Sequence, residues 1–324
     1  MVIKKIAQLV GHQGSVFALS QGHTPQYMLS GAGDGWIVEW DLENPEVGKL
    51  LAKVDSNIFS LLFLPDKNQI IAGNMNGGLH FIDLNNADKN KNIAHHSKGV
   101  FDIQLIHNQL FTIGGDGVIT RWSVEEIRSI ESFQLSAKSL RCMDFSNERR
   151  EFAIGASDGH IYFLDEKLNL KNIIKNAHKN SVFSVKYALD SKYLLSGGRD
   201  ALLKTWEIDK NDKIVTASEA WQEGVSETSA HLYTINAIAF HPNNPNIFAT
   251  ASRDKTIKIW QLMTSKEINK IEIKEVKLLK VIDTIRSGGH LNSVNTLSWT
   301  PYNNWLISGS DDRSLMIWDV NLEI

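Results

Sequence analysis

Histidine, serine or threonine, and aspartate recur along this chain at spacings that invite a catalytic reading. Five sets share one pattern: His12, Ser30 and Asp34; His96, Thr112 and Asp116; His178, Ser196 and Asp200; His231, Thr250 and Asp254; His290, Ser308 and Asp312. In a hydrolase such a trio supplies a nucleophile, a general base and the carboxylate that orients the base. One exposed nucleophile suffices for that chemistry, whereas here the set is repeated, and no G-x-S-x-G elbow follows a strand. Repetition points to structure. Metal binding fares no better. His95 and His96 are followed by His107, but no cysteine or carboxylate stands at ligand spacing around the pair. The SDDR turn has too few ligands for a calcium loop. The sequence therefore predicts no catalytic residue, no metal and no cofactor.

The elements that position these residues are repeats, and repetition decides the architecture. SGAGDGWIVEWD, from Ser30, returns as TIGGDGVITRWS from Thr112, SGGRDALLKTWE from Ser196, TASRDKTIKIWQ from Thr250 and SGSDDRSLMIWD from Ser308. In each, a Ser or Thr stands four residues before the Asp and a Trp six after it, giving Trp40, Trp122, Trp206, Trp260 and Trp318. Each His precedes a β-branched residue by four. Weaker copies, AGNMNGGLHFID from Ala72 and IGASDGHIYFLD from Ile154, fill the gaps and make seven. Short apolar runs such as YMLS, VFSV and IFAT, separated by Gly, Asn and Asp turns, read as strands. The turn aspartates are turn formers first.

A period of 40 to 58 residues, opened by Gly-His or Ala-His and closed by a Trp-Asp-like pair, resembles the WD-repeat family of β-propellers over almost the whole chain. The resemblance implies an all-β, seven-bladed propeller of four-stranded antiparallel blades. Residues 1–324 form one domain, with blades at about 10–53, 54–93, 94–134, 135–175, 176–228, 229–287 and 288–324. Residues 2–9 look like an orphan strand, and only six residues follow Trp318. Pairing the two would complete the last blade, close the ring and hide an edge. The resemblance also implies that the His, Ser/Thr, Asp and Trp of five blades form a buried hydrogen-bonded tetrad, tolerable only when all members are present. Blade two carries Val54, Ala72, Asn76 and Ile82 at these places and blade four Ser136, Ile154, Asp158 and Leu164, so both are expected to rely on apolar packing. Trp260→Phe or His178→Ala should then cost ~1–3 kcal/mol, and Asp158→Ala less than ~1.

Composition narrows the function classes. A net charge of −3 and pI of about 6.4 point away from nucleic acid and from anionic membranes. Cys142 stands alone and cannot form an intrachain disulfide, which fits a reducing compartment. MVIKKIAQLV makes a poor signal peptide, and no run of about 18 apolar residues occurs. A cytoplasmic monomer, able to join a larger complex, is expected.

The resemblance places the His loops and Asp turns on one face, and two sets of positions there border the central channel. The first reads Phe17, Phe59, Phe101, Arg141, Phe183, Asn236 and Asn295; the second reads Gly33, Met75, Gly115, Ser157, Arg199, Arg253 and Asp311. Four phenylalanines at one register suggest an aromatic collar, weighted with Arg141, Arg199 and Arg253 towards the later blades. Duplication alone could explain the shared rings, which would then plug the channel. Binding hot spots, however, are rich in aromatic residues and Arg. Two links are also long, with 25 residues from Trp206 to His231 and 30 from Trp260 to His290, against 14 for plain links. Loops on the same face at about 219–230, carrying Trp221, and at 274–289 are expected, with longer hairpins on the opposite face as the alternative. The sequence thus predicts a non-enzymatic scaffold that binds a protein or peptide over the channel mouth. A small-molecule sensor using the channel and a propeller enzyme are the rivals.

Overall fold

The computed structural model describes residues 1–208, 225–267 and 270–321. They form seven four-stranded antiparallel sheets, the blades of a propeller. Blade one holds β2 (Val16–Gln21), β3 (Tyr27–Ala32), β4 (Trp36–Asp41) and β5 (Lys49–Lys53). Blade two holds β6 (Ile58–Leu64), β7 (Gln69–Asn74), β8 (Gly78–Asp83) and β9 (Lys91–Ala94). Blade three has β10 (Val100–Ile106), β11 (Gln109–Gly114), β12 (Val118–Ser123) and β13 (Arg128–Gln134), and blade four β14 (Leu140–Ser146), β15 (Glu151–Ala156), β16 (Ile161–Asp165) and β17 (Leu170–Ile174). Blade five has β18 (Val182–Ala188), β19 (Tyr193–Gly198), β20 (Leu202–Glu207) and β21 (Val225–Ser229). Blade six has β22 (Ile235–His241), β23 (Asn244–Ser252), β24 (Ile257–Glu267) and β25 (Lys270–Ile282). Blade seven joins β26 (Val294–Trp299), β27 (Leu306–Ser310) and β28 (Ser314–Asn321) to β1 (Val2–Val10).

The strands are near-continuously apolar because both faces of each blade are covered. Seven buried clusters follow, one per junction between neighbours. Ala18, Leu29 and Ile37 of blade one meet Ile58, Phe63 and Ile70 of blade two, and Val16, Met28 and Trp40 meet Ile307, Leu315 and Ile317 of blade seven. Each Val, Leu, Ile, Phe or Met side chain among them contributes roughly 1.5–3 kcal/mol by leaving water, so the ring is held by its interfaces.

Closure occurs through the first strand, as the sequence predicts. β1 pairs antiparallel with β28 from Val2↔Asn321 to Val10↔Ser314, and Leu9 is buried between blades seven and one. The residue after each turn aspartate (Asn76 in blade two) takes the left-handed conformation in all seven blades: Gly35, Gly77, Gly117, Gly159, Ala201, Lys255 and Arg313. At Gly35 a Cβ would also fall 2.1 Å from the Val54 carbonyl oxygen, so that turn needs glycine on two counts.

The long links differ from expectation. β24 and β25 stay paired from Ile257↔Ile282 to Glu267↔Lys270, so residues 274–282 are strand and the surplus lies in a hairpin projecting from the end of blade six opposite the Asp254 turn. Its packing explains its length: Leu262, Ile273 and Val276 cover Leu189 and Tyr193 of blade five, and the Ile273 N–H donates to Tyr193 Oη at 3.3 Å. Only 283–289, with the short helix α1 (Thr284–Ser287), follows the outer strand. In blade five, β21 runs to Ser229, so the surplus precedes the outer strand instead of following it. Residues 209–224, and Trp221 with them, lie outside the described residues.

Candidate functional site

Strand pairing brings each His loop over the Asp turn of its own blade. His12 Nδ1–H donates to Asp34 at 3.1 Å, the Ser30 hydroxyl lies 2.7 Å from His12 Nε2, and Trp40 Nε1–H donates to Ser30 Oγ at 2.8 Å. The carboxylate can only accept, which fixes the proton on Nδ1 and leaves Nε2 to accept from the hydroxyl. The same chain links His96, Asp116, Thr112 and Trp122 at 2.9–3.1 Å. It recurs in His178, Asp200, Ser196 and Trp206, in His231, Asp254, Thr250 and Trp260, and in His290, Asp312, Ser308 and Trp318. Burial holds the His12, His96 and His231 imidazoles below their ordinary range, although the facing carboxylates pull the other way. Burial would raise Asp116, Asp200, Asp254 and Asp312, but imidazole and backbone donors outweigh it and all four are lowered. All five hydroxyl residues have no exposed surface, so no substrate reaches them as nucleophiles. His107 pairs with Glu166 at 3.3 Å, while His95 bonds Thr120 Oγ1 at 2.9 Å, so the histidines considered as a metal set serve separate contacts.

Blades two and four are not purely apolar, which corrects the sequence reading. In blade four Asp158 Oδ2 accepts from Ser136 Oγ at 2.6 Å and from Tyr162 Oη at 2.7 Å, and Oδ1 accepts from the His160 N–H at 2.9 Å. Burial and this bond push the Tyr162 phenol up to about 12. In blade two the buried Asn74 Nδ2–H donates to His80 Nε2 at 2.9 Å, while Asn74 Oδ1 accepts from the N–H groups of Asn76 and Gly78. Tyr162 and His80 stand two residues before the place that Trp holds elsewhere. Residues two apart share a strand face, and a tyrosine or histidine there was the available signal.

The same end of the ring carries the channel mouth. The inner strands start where the His loops arrive, so their second residues, Phe17, Phe59, Phe101, Arg141, Phe183, Asn236 and Asn295, line one opening of about 490 Å³. All seven are half-buried. Phe17 and Phe59 meet edge to face at 5.1 Å, Phe59 and Phe101 lie 5.3 Å apart, and the Arg141 guanidinium sits 4.4 Å from the Phe101 ring and 5.5 Å from that of Phe183. The other side is amide: Asn236 Nδ2–H donates to the Val294 carbonyl at 2.8 Å and Asn295 Nδ2–H to Asp311 at 2.7 Å.

The second set of positions is tied to this ring. In every blade the N–H before the turn aspartate (Asn76 in blade two) donates to a carbonyl of the incoming His loop, from Gly33 to Ser15 through Arg199 to Ser181, Arg253 to Thr234 and Asp311 to Ser293. A Cβ at Gly115 would come within 3.0 Å of the Phe101 ring, while Ser157 and Asp311 bond Arg141 and Asn295. Arg199, Arg253 and Met75 are exposed around this mouth. Deeper, Asp102 accepts from the N–H groups of Ile103 and Met143, each at 2.9 Å, and burial pushes its carboxyl up to about 6. Asp144 accepts from Lys186 Nζ at 2.6 Å and from the Tyr187 N–H at 2.8 Å. Sequence reasoning missed these two aspartates, which strap blade three to four and four to five.

Four segments, 3–41, 170–207, 223–261 and 279–319, match the family description "WD domain, G-beta repeat". The chain is 29% identical over 154 residues to a subunit of chromatin assembly factor 1 from Gallus gallus, covering 44% of this chain and 26% of that protein. Transducin beta-like protein 3 of Rattus norvegicus is 22% identical over 343 residues, with 97% and 40% covered. The nuclear distribution protein nudF of Emericella nidulans is 28% identical over 210 residues, with 61% and 42% covered. This chain thus matches less than half the length of each relative. The WD40 β-propeller domain of Doa1 superposes with a TM-score of 0.79 over 99% of this chain and 97% of that one, at 15% identity. No helix among the described residues is long and apolar enough to cross a membrane.

Proposed function

Since the chain is a seven-bladed WD-repeat β-propeller, we propose that it is a non-enzymatic scaffold that binds a protein or peptide over the channel mouth. The carrying observation is the half-buried arc of Phe17, Phe59, Phe101 and Phe183 around an opening that protein side chains leave unfilled. Aromatic rings held on rigid strands lose little freedom on binding and give the usual energetic centre of an interface. Arg199 and Arg253 extend the surface outwards, and cations on a rim act mainly through screened, long-range attraction. The family supports many functions on one scaffold, so the site and not the fold carries the proposal.

The test is affinity capture from native lysate with the full chain beside Phe59→Ala/Phe101→Ala. Proteins retained by the parent and lost by the double variant, with its melting temperature preserved, support the reading. Identical captured sets overturn it, and so does a variant that unfolds while binding survives in a milder Phe59→Leu. Arg199 and Arg253 substitutions should weaken capture mostly at low salt. The size of the opening also favours a second reading, a small-molecule sensor, since ligand pockets typically run from about 300 to 1,000 Å³. A metabolite retained through native purification, and displaced by no peptide, would favour that reading.

A further inference from the structure

Arg141 occupies the place in the channel ring that phenylalanine holds in the blades on either side of it. Its guanidinium lies over Phe101 at 4.4 Å and near Phe183 at 5.5 Å, and its Nε–H donates to Ser157 Oγ at 2.9 Å. Two rings and one hydrogen bond therefore hold the group in place. Among the described residues no carboxylate pairs with it. Arg121, Arg128, Arg149, Arg150 and Arg286 all meet a Glu or Asp. Asp102, which lines the opening, is engaged by two backbone N–H groups, and Asp144, on the same strand as Arg141, by Lys186. Burial lowers the pKa of Arg141 and no carboxylate offsets that effect.

A desolvated cation without an anion is costly unless something supplies one. The two terminal nitrogens of the group make no hydrogen bond among the described residues, and Arg141 lines the opening. We propose that Arg141 is a carboxylate receptor: its two terminal nitrogens take, side by side, the carboxylate of an acidic side chain or chain terminus that a peptide partner inserts between Phe101 and Phe183. This rests on the reading of the mouth as a peptide site and names the anchor that site selects. A guanidinium pre-oriented by stacking loses little entropy on forming a two-pronged bond, and a lysine in its place could not reproduce the fork.

The test follows arginine side-chain 15N–1H resonances of the full chain during titration with sodium acetate, and separately with inorganic phosphate, at ionic strength held constant with sodium chloride. The expected result is one resonance, absent from Arg141→Met, that moves saturably with acetate and not with chloride. Peptides selected on the parent should carry Asp, Glu or a free terminus and lose about tenfold or more in affinity in both Arg141→Met and Arg141→Lys, the loss expected for a charge-assisted pair. No saturable acetate shift overturns the proposal, and a response to phosphate alone replaces it with a tetrahedral oxyanion site. Selected peptides that need Phe59 but ignore Arg141→Met also overturn it while leaving the scaffold reading intact. An acetate response with no partner dependent on the phenylalanines does the reverse.

Discussion

Replacing Asp158 by alanine tests how blade four holds its turn. From its sequence the blade lacks a polar network, and the substitution should cost less than ~1 kcal/mol. The structure gives a larger figure. Ser136 and Tyr162 are only 8% and 7% exposed, and both hydroxyls donate to the one carboxylate oxygen at 2.6 and 2.7 Å. Removing it strands two buried donors, each worth roughly 1–3 kcal/mol when unsatisfied. Ser136 Oγ still accepts from the Lys138 N–H, and the His160 N–H is partly exposed, so the total should be about 2–4 kcal/mol. That equals or exceeds the ~1–3 kcal/mol expected for His178→Ala in a complete tetrad. Tyr162→Phe alone should cost ~1–2 kcal/mol, and the two changes together less than their sum, because they share one bond. Urea titrations followed by tryptophan fluorescence would measure this, with the midpoint moving at constant slope. A cost below ~1 kcal/mol for Asp158→Ala, or strict additivity with Tyr162→Phe, would refute the network.

Deleting residues 1–9 should lower the melting temperature sharply and promote association, since it bares β28 as an edge; an unchanged monomer by light scattering would contradict the role given to β1. Stability should also fall as pH drops below 6.5. His12, His96 and His231 have lowered native pKa values, so between those values and 6.5 the unfolded chain binds more protons, and each buried imidazole contributes up to about 1.4 kcal/mol per pH unit. Asp102, raised to about 6, opposes this by at most one proton and only below about pH 6, so the fall from 7.5 to 6 belongs to the histidines. The tetrad aspartates, lowered in the native state, add a further loss only below about 3.8. Urea midpoints that do not fall between pH 7.5 and 5.5 would show that these histidines are not held neutral.

The repeat, the blade number and the closing strand were legible because coupled residues leave a fixed signature. A buried hydroxyl that must face both an imidazole and an indole tolerates few substitutes, so Ser30 or Thr250 announces its partners by spacing. The networks of blades two and four escaped notice because their polar members sit at other positions of the same strand face, at Asn74, His80 and Tyr162. Spacing also told how many residues the later links add without telling where. Whether the surplus follows or precedes the outer strand depends on what the extra residues can cover, and Ile273 and Val276 had an apolar surface on blade five to reach. The channel ring was visible as a register, but the wedging of Arg141 between two rings is a matter of side-chain geometry that no one-dimensional pattern carries.

The clasp between β1 and β28 has a kinetic side. Val2 and Asn321 pair across 319 positions of chain, more than any other pair of strands among the described residues, and contacts of great sequence separation are the slowest to form because the entropy of loop closure opposes them. Every other blade is built from consecutive strands and can zip locally. The last one needs the opposite ends of the domain to meet, so β1 is expected to be the last strand to find its place, with the edge of β28 open to the surrounding solution until it does.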